Sequence, residues 1–356
     1  VKASSQSTMT GGPSHFDQAA HHRAVHIRHE EEDKHRQGSV DASSTSTSDL
    51  NEDPKVKALA IQMAQAAPAP APPPPAMQQV SMFNAAPDIY KTLVAIGEAK
   101  LQQSYFKLAV MGLLAGFYVS FGFSFCAATI GLMGNTIYGA LAFPTGLLLI
   151  VLCGAELFTG NTCYMFTANI EGKANFWHHQ KIIWSAYFWN LVGSLIIVGL
   201  QLGGDVWTGR EDFVHNIAQK KMQLTWANVV CRAIIANWLV NLAVYQSFAA
   251  RDVIGKAIGV WTPITCFVAI GLEHCIANMW VIPMSIYLAP TAKWPETITW
   301  ANFIAKNLIP ATIGNWIGGA IMVGAFSAAC YGTNIPKWKD AAWDNTLGRC
   351  IPKLPC

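Results

Sequence analysis

Charge is what this chain has least of. Asp, Glu, Lys and Arg make up 13% of its 356 residues, about half the share of an ordinary globular domain. The formal net charge is only +3 and no basic stripe occurs, which excludes an electrostatic grip on nucleic acid. The nine cysteines show no Cys-x-x-Cys or zinc-type spacing. Neither a disulfide framework nor a cysteine metal site is therefore expected. Most of them, Cys126 to Cys330, read as small hydrophobes inside apolar runs. Cys350 and Cys356 could pair in the tail, but nothing demands it.

Apolar residues are abundant instead. They form 52% of the chain and cluster after position 105. Several runs approach the roughly 20 residues that cross a bilayer, which excludes a soluble helical core. Six spans are expected: about 106–131, 137–170, 182–202, 226–249, 258–288 and 303–329. The second and fifth are too long for one crossing and are interrupted by polar residues. A haem-binding subunit would need axial ligands on facing spans, and His274 is the one histidine placed inside a span.

Outside the spans the composition changes. Residues 1–86 are expected to be disordered, because Ser, Thr, His and Gln dominate and 66–76 is a Pro/Ala linker. His21, His22, His29 and His35 read as part of that solvated tail, not as a metal site. The chain begins at Val1, so an upstream segment is expected to have been removed or left out, and its Ser-rich start resembles the end of a plastid transit peptide. Residues 87–104 space apolar groups at Ile89, Leu93, Ile96 and Leu101, which predicts an amphipathic interfacial helix with Asp88 as its cap. The pore domain is placed at 105–333 and a C-terminal tail at 334–356.

The two interruptions carry the argument. One is Gly154-Ala155-Glu156-Leu157-Phe158-Thr159-Gly160-Asn161; the other is Gly271-Leu272-Glu273-His274-Cys275-Ile276-Ala277-Asn278. Matching breaks in two halves point to a transport pathway. Each half ends in a span with Asn three residues before Gly, at Asn190 with Gly193 and Asn315 with Gly318. Three spans per half imply an inverted 3+3 repeat: an all-α membrane protein with six transmembrane helices, two of them broken. Lys and Arg favour the amino-terminal side modestly, which places both termini in the cytoplasm or a plastid stroma.

A half-helix starting at mid-membrane presents N–H groups and a partial positive charge. With Thr159, Asn161, His274 and Asn278 nearby, that environment suits a small monovalent anion or its neutral acid. His274 reads either as a structural buried histidine or as a proton-passing group. Glu156 and Glu273 read equally as pathway groups or as caps of the half-helices. Lys221 in isolation is a solvated loop lysine.

With Asn307-Leu308-Ile309-Pro310-Ala311-Thr312-Ile313-Gly314-Asn315 as a third motif, residues 87–333 resemble the formate/nitrite transporter family. The resemblance implies an aquaporin-like fold and a homopentamer in membrane lipid, with one pore per protomer and no cofactor. It implies His274 as the central histidine, with Thr159, Asn237, Glu273 and Asn278 around it, and Lys221 drawing anions into an outer vestibule. Phe143, Leu147 and Phe267 would form an outer constriction, and Leu157, Phe158 and Val240 an inner one. The long tail resembles a green-algal plastid-envelope branch. That suggests nitrite as the substrate at the chloroplast inner envelope, with bicarbonate or formate, and the plasma membrane, as alternatives. No enzymatic activity is implied.

Overall fold

The computed structural model describes residues 54–66, 81, 83–288 and 298–334. The Pro/Ala linker, the histidine-rich start and the C-terminal tail fall almost wholly outside the described residues. The chain divides into two compact units, 1–78 and 79–356. The first contains helix α1 (Pro54–Ala66), where disorder was expected. Its proline stands at the first helical position, and Lys, Ala, Leu, Gln and Met that follow are strong helix formers.

Among its described residues the second unit is helical, apart from turns and one isolated β-bridge between Phe83 and Ala250. It opens with α2 (Ala86–Lys100), then α3 (Tyr105–Met133), α4 (Thr136–Cys153), α5 (Phe158–Ile170) and α6 (Phe176–Gly203). There follow α7 (Glu211–Met222), α8 (Trp226–Ala249), α9 (Val253–Ala269), α10 (Cys275–Tyr287) and α11 (Trp300–Tyr331). Among the described residues α3, α4, α6, α8 and α11 are long and apolar enough to cross a membrane, while α9 and α10 are shorter apolar helices. The protein is mostly membrane-embedded. Phe106, Trp177, Leu200 and Ile254 stand exposed on its outer faces, as lipid or a neighbouring protomer requires.

Several expectations shift. Helix α7 occupies a stretch that reads in sequence as a charged loop; its apolar side, with Val214 and Ala218 buried, packs inward. The N-cap of α2 is Ala85 and makes no side-chain cap bond; Asp88 lies in the first turn and pairs with Lys91 at 3.0 Å. That helix docks against α5 so closely that a Cβ at Gly97 would sit 2.3 Å from the Tyr164 carbonyl. Helix α11 contains two π-helical stretches, Phe303–Leu308 and Gly318–Ala325. The Asn-to-Gly pairs allow tight crossings: a Cβ at Gly193 would fall 2.4 Å from the Leu113 carbonyl, and one at Gly318 2.3 Å from that of Ile234.

Candidate functional site

Both breaks are shorter than their motifs. Helix α4 stops at Cys153, Gly154 turns the chain at φ +80°, and α5 starts at Phe158. Helix α9 stops at Ala269, Gly271 turns at φ +70°, and α10 starts at Cys275. Left-handed backbone favours glycine. Thr159, Asn161 and Asn278 therefore lie in the first turns of helices, not in the gaps.

Each gap is held by an asparagine from a later helix. Asn190 of α6 accepts the first α5 N–H, from Phe158, at 2.9 Å. Its amide donates to the carbonyls of Gly112 and Glu156, both at 2.9 Å. Asn315 of α11 accepts the Cys275 N–H at 2.8 Å. It donates to the carbonyls of Ala233 at 2.8 Å and Glu273 at 3.0 Å. Unpaired backbone groups in a dry interior are costly, and one side chain satisfies several of them. The leading amide of each half-helix is thus occupied by protein, contrary to the expectation of free N–H groups.

The carboxylates are clamped in the same style. Glu156 accepts from Lys100 at 2.5 Å, Gln103 at 3.0 Å and Asn161 at 3.0 Å. Glu273 accepts from Lys221 at 2.9 Å, Asn278 at 2.8 Å and Asn307 at 3.1 Å. Asn307 reaches it from the first π-helical stretch of α11. Each lysine also sits over a ring: Lys100 is 5.3 Å from the centre of Tyr164, and Lys221 is 5.9 Å from that of Phe123. Lys221 is therefore an ion-paired residue with a side chain 13% exposed, not a free loop lysine.

The ring of His274 lies where the two halves meet. It caps its own helix, Nδ1 accepting the Ala277 N–H at 3.1 Å. An accepting Nδ1 carries no proton, so in the neutral ring the hydrogen is on Nε2. Nε2 faces the Thr159 hydroxyl at 3.1 Å. Three cavities succeed one another here, and His274 is in the wall of the first two. One, about 200 Å³, opens beside α7 and includes Phe123, Phe143, Lys221, Phe267 and His274 in its wall. A central void of about 10 Å³ is walled by Phe143, Leu147, Leu157, Val240, Ile264 and His274, among others. The third, about 260 Å³, lies beside α2, with Lys100, Leu147, Glu156 and Leu157 in its wall. Consecutive cavities share wall residues.

The remaining expected residues fall as follows. Phe143 and Phe267 stack with ring centres 5.6 Å apart, and Phe267 lies 6.1 Å from the His274 ring. Leu147 lines the central void and the α2 cavity but not the α7 cavity. Phe158 lines none of the three; it is fully buried and packs on Tyr187 and Trp184 of α6 at 4.9 and 5.7 Å. Asn237 donates to the Thr159 and Asn315 carbonyls at 3.1 and 2.6 Å and to the Thr162 hydroxyl at 3.1 Å, tying α5, α8 and α11 together. Its amide braces the pair and does not touch the imidazole.

Lys100, Gln103 and Arg232 carry no expectation from sequence, and Asn307 enters there only as the first residue of the third motif, without a role. The sequence signal for Lys100 is its place near the end of the amphipathic segment 87–104, shortly before the first apolar run. Contrary to the expectation from sequence, His274 is not the one histidine inside a span. His179 is buried in α6, because that helix starts at Phe176, six residues before the expected start at 182, and His215 is buried in α7.

A protein-family model described as formate/nitrite transporter matches residues 87–329. A probable formate transporter of Methanothermobacter thermautotrophicus is 37% identical over 270 residues, covering 68% of this chain and 95% of that protein. The formate channel FocA of Escherichia coli (strain K12) is 37% identical over 251 residues, covering 64% of this chain and 87% of its own. A solved structure described as a pentameric formate channel with formate bound superposes with a TM-score of 0.58 at 30% identity, covering 64% of this chain and 98% of that one. A second, an FNT family ion channel, gives a TM-score of 0.62 at 24% identity over 69% of this chain and 99% of that one, a likeness of fold.

Proposed function

The chain belongs to the formate/nitrite transporter family, and we propose that it passes formate, or an anion of closely similar shape, through a pore within each protomer. Transport of a small monovalent anion across a membrane, not catalysis, follows from the membership. The observation that carries the pore is the meeting of His274 and Thr159 at 3.1 Å, with His274 in the wall of two cavities and a third sharing the wall of the central one. Formate is preferred to nitrite because several similar proteins, and one solved structure, are described as formate transporters or formate channels.

In this mechanism the anion leaves water at either lysine-bearing mouth and enters a passage whose walls are mainly apolar. Phe143, Leu147, Leu157, Val240 and Phe267 reject hydrated ions, because stripping water from a charge is costly. At the centre, Nε2–H of His274 and the Thr159 hydroxyl replace that water with two donors. A cap at Nδ1 keeps the ring neutral at rest. To pass a proton the imidazole must first take one at Nδ1, which breaks the Ala277 bond. Proton coupling is thereby linked to loosening of the first turn of α10.

Four further elements belong to the same proposal. The halves form an inverted repeat of six spans in an aquaporin-like arrangement, supported by the matched asparagine and carboxylate clamps. Protomers assemble as a homopentamer, supported by one structural relative described as pentameric and by the apolar outer faces. The chain divides at 86, 104 and 333 into tail, amphipathic helix, pore and C-terminal segment. Its membrane is a plastid envelope, on resemblance to the algal branch, to be checked by imaging a full-length fluorescent fusion.

Uptake into liposomes containing the purified chain tests the function, with formate, nitrite and bicarbonate compared under an imposed pH gradient. Formate flux at or above nitrite flux is expected. Selective nitrite or bicarbonate flux would reassign the substrate, and no flux of any of them would end the proposal.

A further inference from the structure

The two mouths differ in charge although their clamps match. In the α2 mouth the charged side chains in the wall are Lys100 and Glu156, which neutralise each other at 2.5 Å. The α7 mouth has Lys220, Lys221, Arg232 and Glu273 in its wall, three cations against one carboxylate, a local excess of two positive charges. Lys221 is cancelled by Glu273 at 2.9 Å. The excess therefore belongs to Lys220 and Arg232.

Arg232 is placed for more than attraction. It sits on α8 six residues after Trp226, about 9 Å along the helix at ordinary helical rise. Its Nη1 donates to the carbonyl of Gly271 at 3.1 Å, the left-handed glycine of the second break. That bond uses one of five guanidinium N–H groups and orients the plane. Among the described residues it forms no ion pair with a carboxylate, and the residue is exposed. A planar guanidinium with free donors matches the two oxygens of a planar oxyanion, which a lysine point charge does not.

We infer that Arg232 is the first docking residue for the anion at the α7 mouth, gripping a carboxylate-like O–X–O group by a forked contact before it passes Phe143 and Phe267 to His274. This assignment rests on the transport reading. Lys220 adds long-range attraction, and Lys221 stays committed to Glu273.

Initial rates of formate uptake by full-length protein in liposomes, measured against concentration at low and high salt, test it in wild type, Arg232→Gln, Arg232→Lys and Lys220→Gln. Arg232→Gln should raise the half-saturating concentration about tenfold, leave the saturating rate within about twofold and flatten the salt dependence. Arg232→Lys keeps the charge and can still reach the Gly271 carbonyl, so it should retain the salt dependence while losing several-fold in affinity. Lys220→Gln should cost about twofold. Wild-type flux with an unchanged half-saturating concentration and salt slope in Arg232→Gln overturns the docking role alone. A fall in saturating rate with affinity intact, rescued by Arg232→Lys, would make Arg232 only a brace for the break. If wild type carries no formate, nitrite or bicarbonate, the transport reading and this assignment fall together.

Discussion

The two breaks are built alike and end differently. Both begin with a left-handed glycine and bury a carboxylate between a lysine and an asparagine. In both, an asparagine from a later helix bridges the gap. At the next position the first break places Leu157 and the second places His274. Two residues further, the first has Thr159 and the second Ile276. The scaffold repeats while the chemistry does not, and the imidazole of one half meets the hydroxyl of the other. Repetition supplies two half-helices facing one point. Departure from it supplies one donor from each.

Removing a carboxylate tests the shared scaffold most severely. Glu156→Ala strands the buried Lys100 and Glu273→Ala the partly buried Lys221, and each should cost about 3–5 kcal/mol, read as a lower melting temperature in detergent. A large loss at one break with none at the other would break the equivalence. Changing the partner as well, as Lys100→Met with Glu156→Leu, should recover most of the loss.

Next in size are the bridging asparagines. Asn190→Ala and Asn315→Ala each leave a buried N–H and carbonyls unpaired, at about 1–3 kcal/mol. Similar losses in the two, measured by the same melting curves, would sharpen the comparison.

His274→Leu gives the second break the residue of the first. Loss of the helix cap costs about 1 kcal/mol, a smaller effect on stability than either clamp. Formate flux should nevertheless fall by about a hundredfold, the scale of a general acid–base group, and lose its pH dependence. Flux that survives with its pH profile intact would show the difference between the breaks to be incidental. Thr159→Val removes the facing hydroxyl with little change of shape and should cost about 1 kcal/mol or less in stability, with a smaller fall in flux.

The smallest effect lies outside the membrane. Burial pushes the Glu171 carboxyl up, but hydrogen bonds from Thr333 and Tyr90 outweigh it and hold it below the usual carboxylate range. Those bonds, at 2.6 Å from the Thr333 hydroxyl and 2.8 Å from Tyr90, fasten the end of α11 to α2. A lowered folded value means the contribution is present above the unfolded value and is lost as pH falls through the folded one. Protection of the amides at residues 331–333, taken relative to the unprotected rate at each pH, should therefore fall in acid. In Glu171→Gln protection should already be lower at neutral pH and insensitive to that step.

Local pattern made much of this legible. Apolar runs located the spans because a bilayer sets their length, and Trp226–Ala249 was placed to the residue. Glycine and buried polar residues marked both breaks, since backbone in lipid has to be satisfied by protein. The same logic singled out Glu156, Glu273 and His274. Helix α7 stayed hidden because its charged exposed face reads as a loop when the surface it packs on is unknown.

The sequence by itself determined that this is a membrane helix bundle with two polar interruptions, the second of which carries a histidine. Only the tertiary structure decided partners. Lys100 and Glu156 are 56 positions apart, Lys221 and Glu273 52, and Thr159 and His274 115. No local signal spans such separations, because packing of whole helices sets which side chains meet. For the same reason Lys221 became a clamped ion, Phe158 turned to α6, and Arg232 came to stand at the mouth.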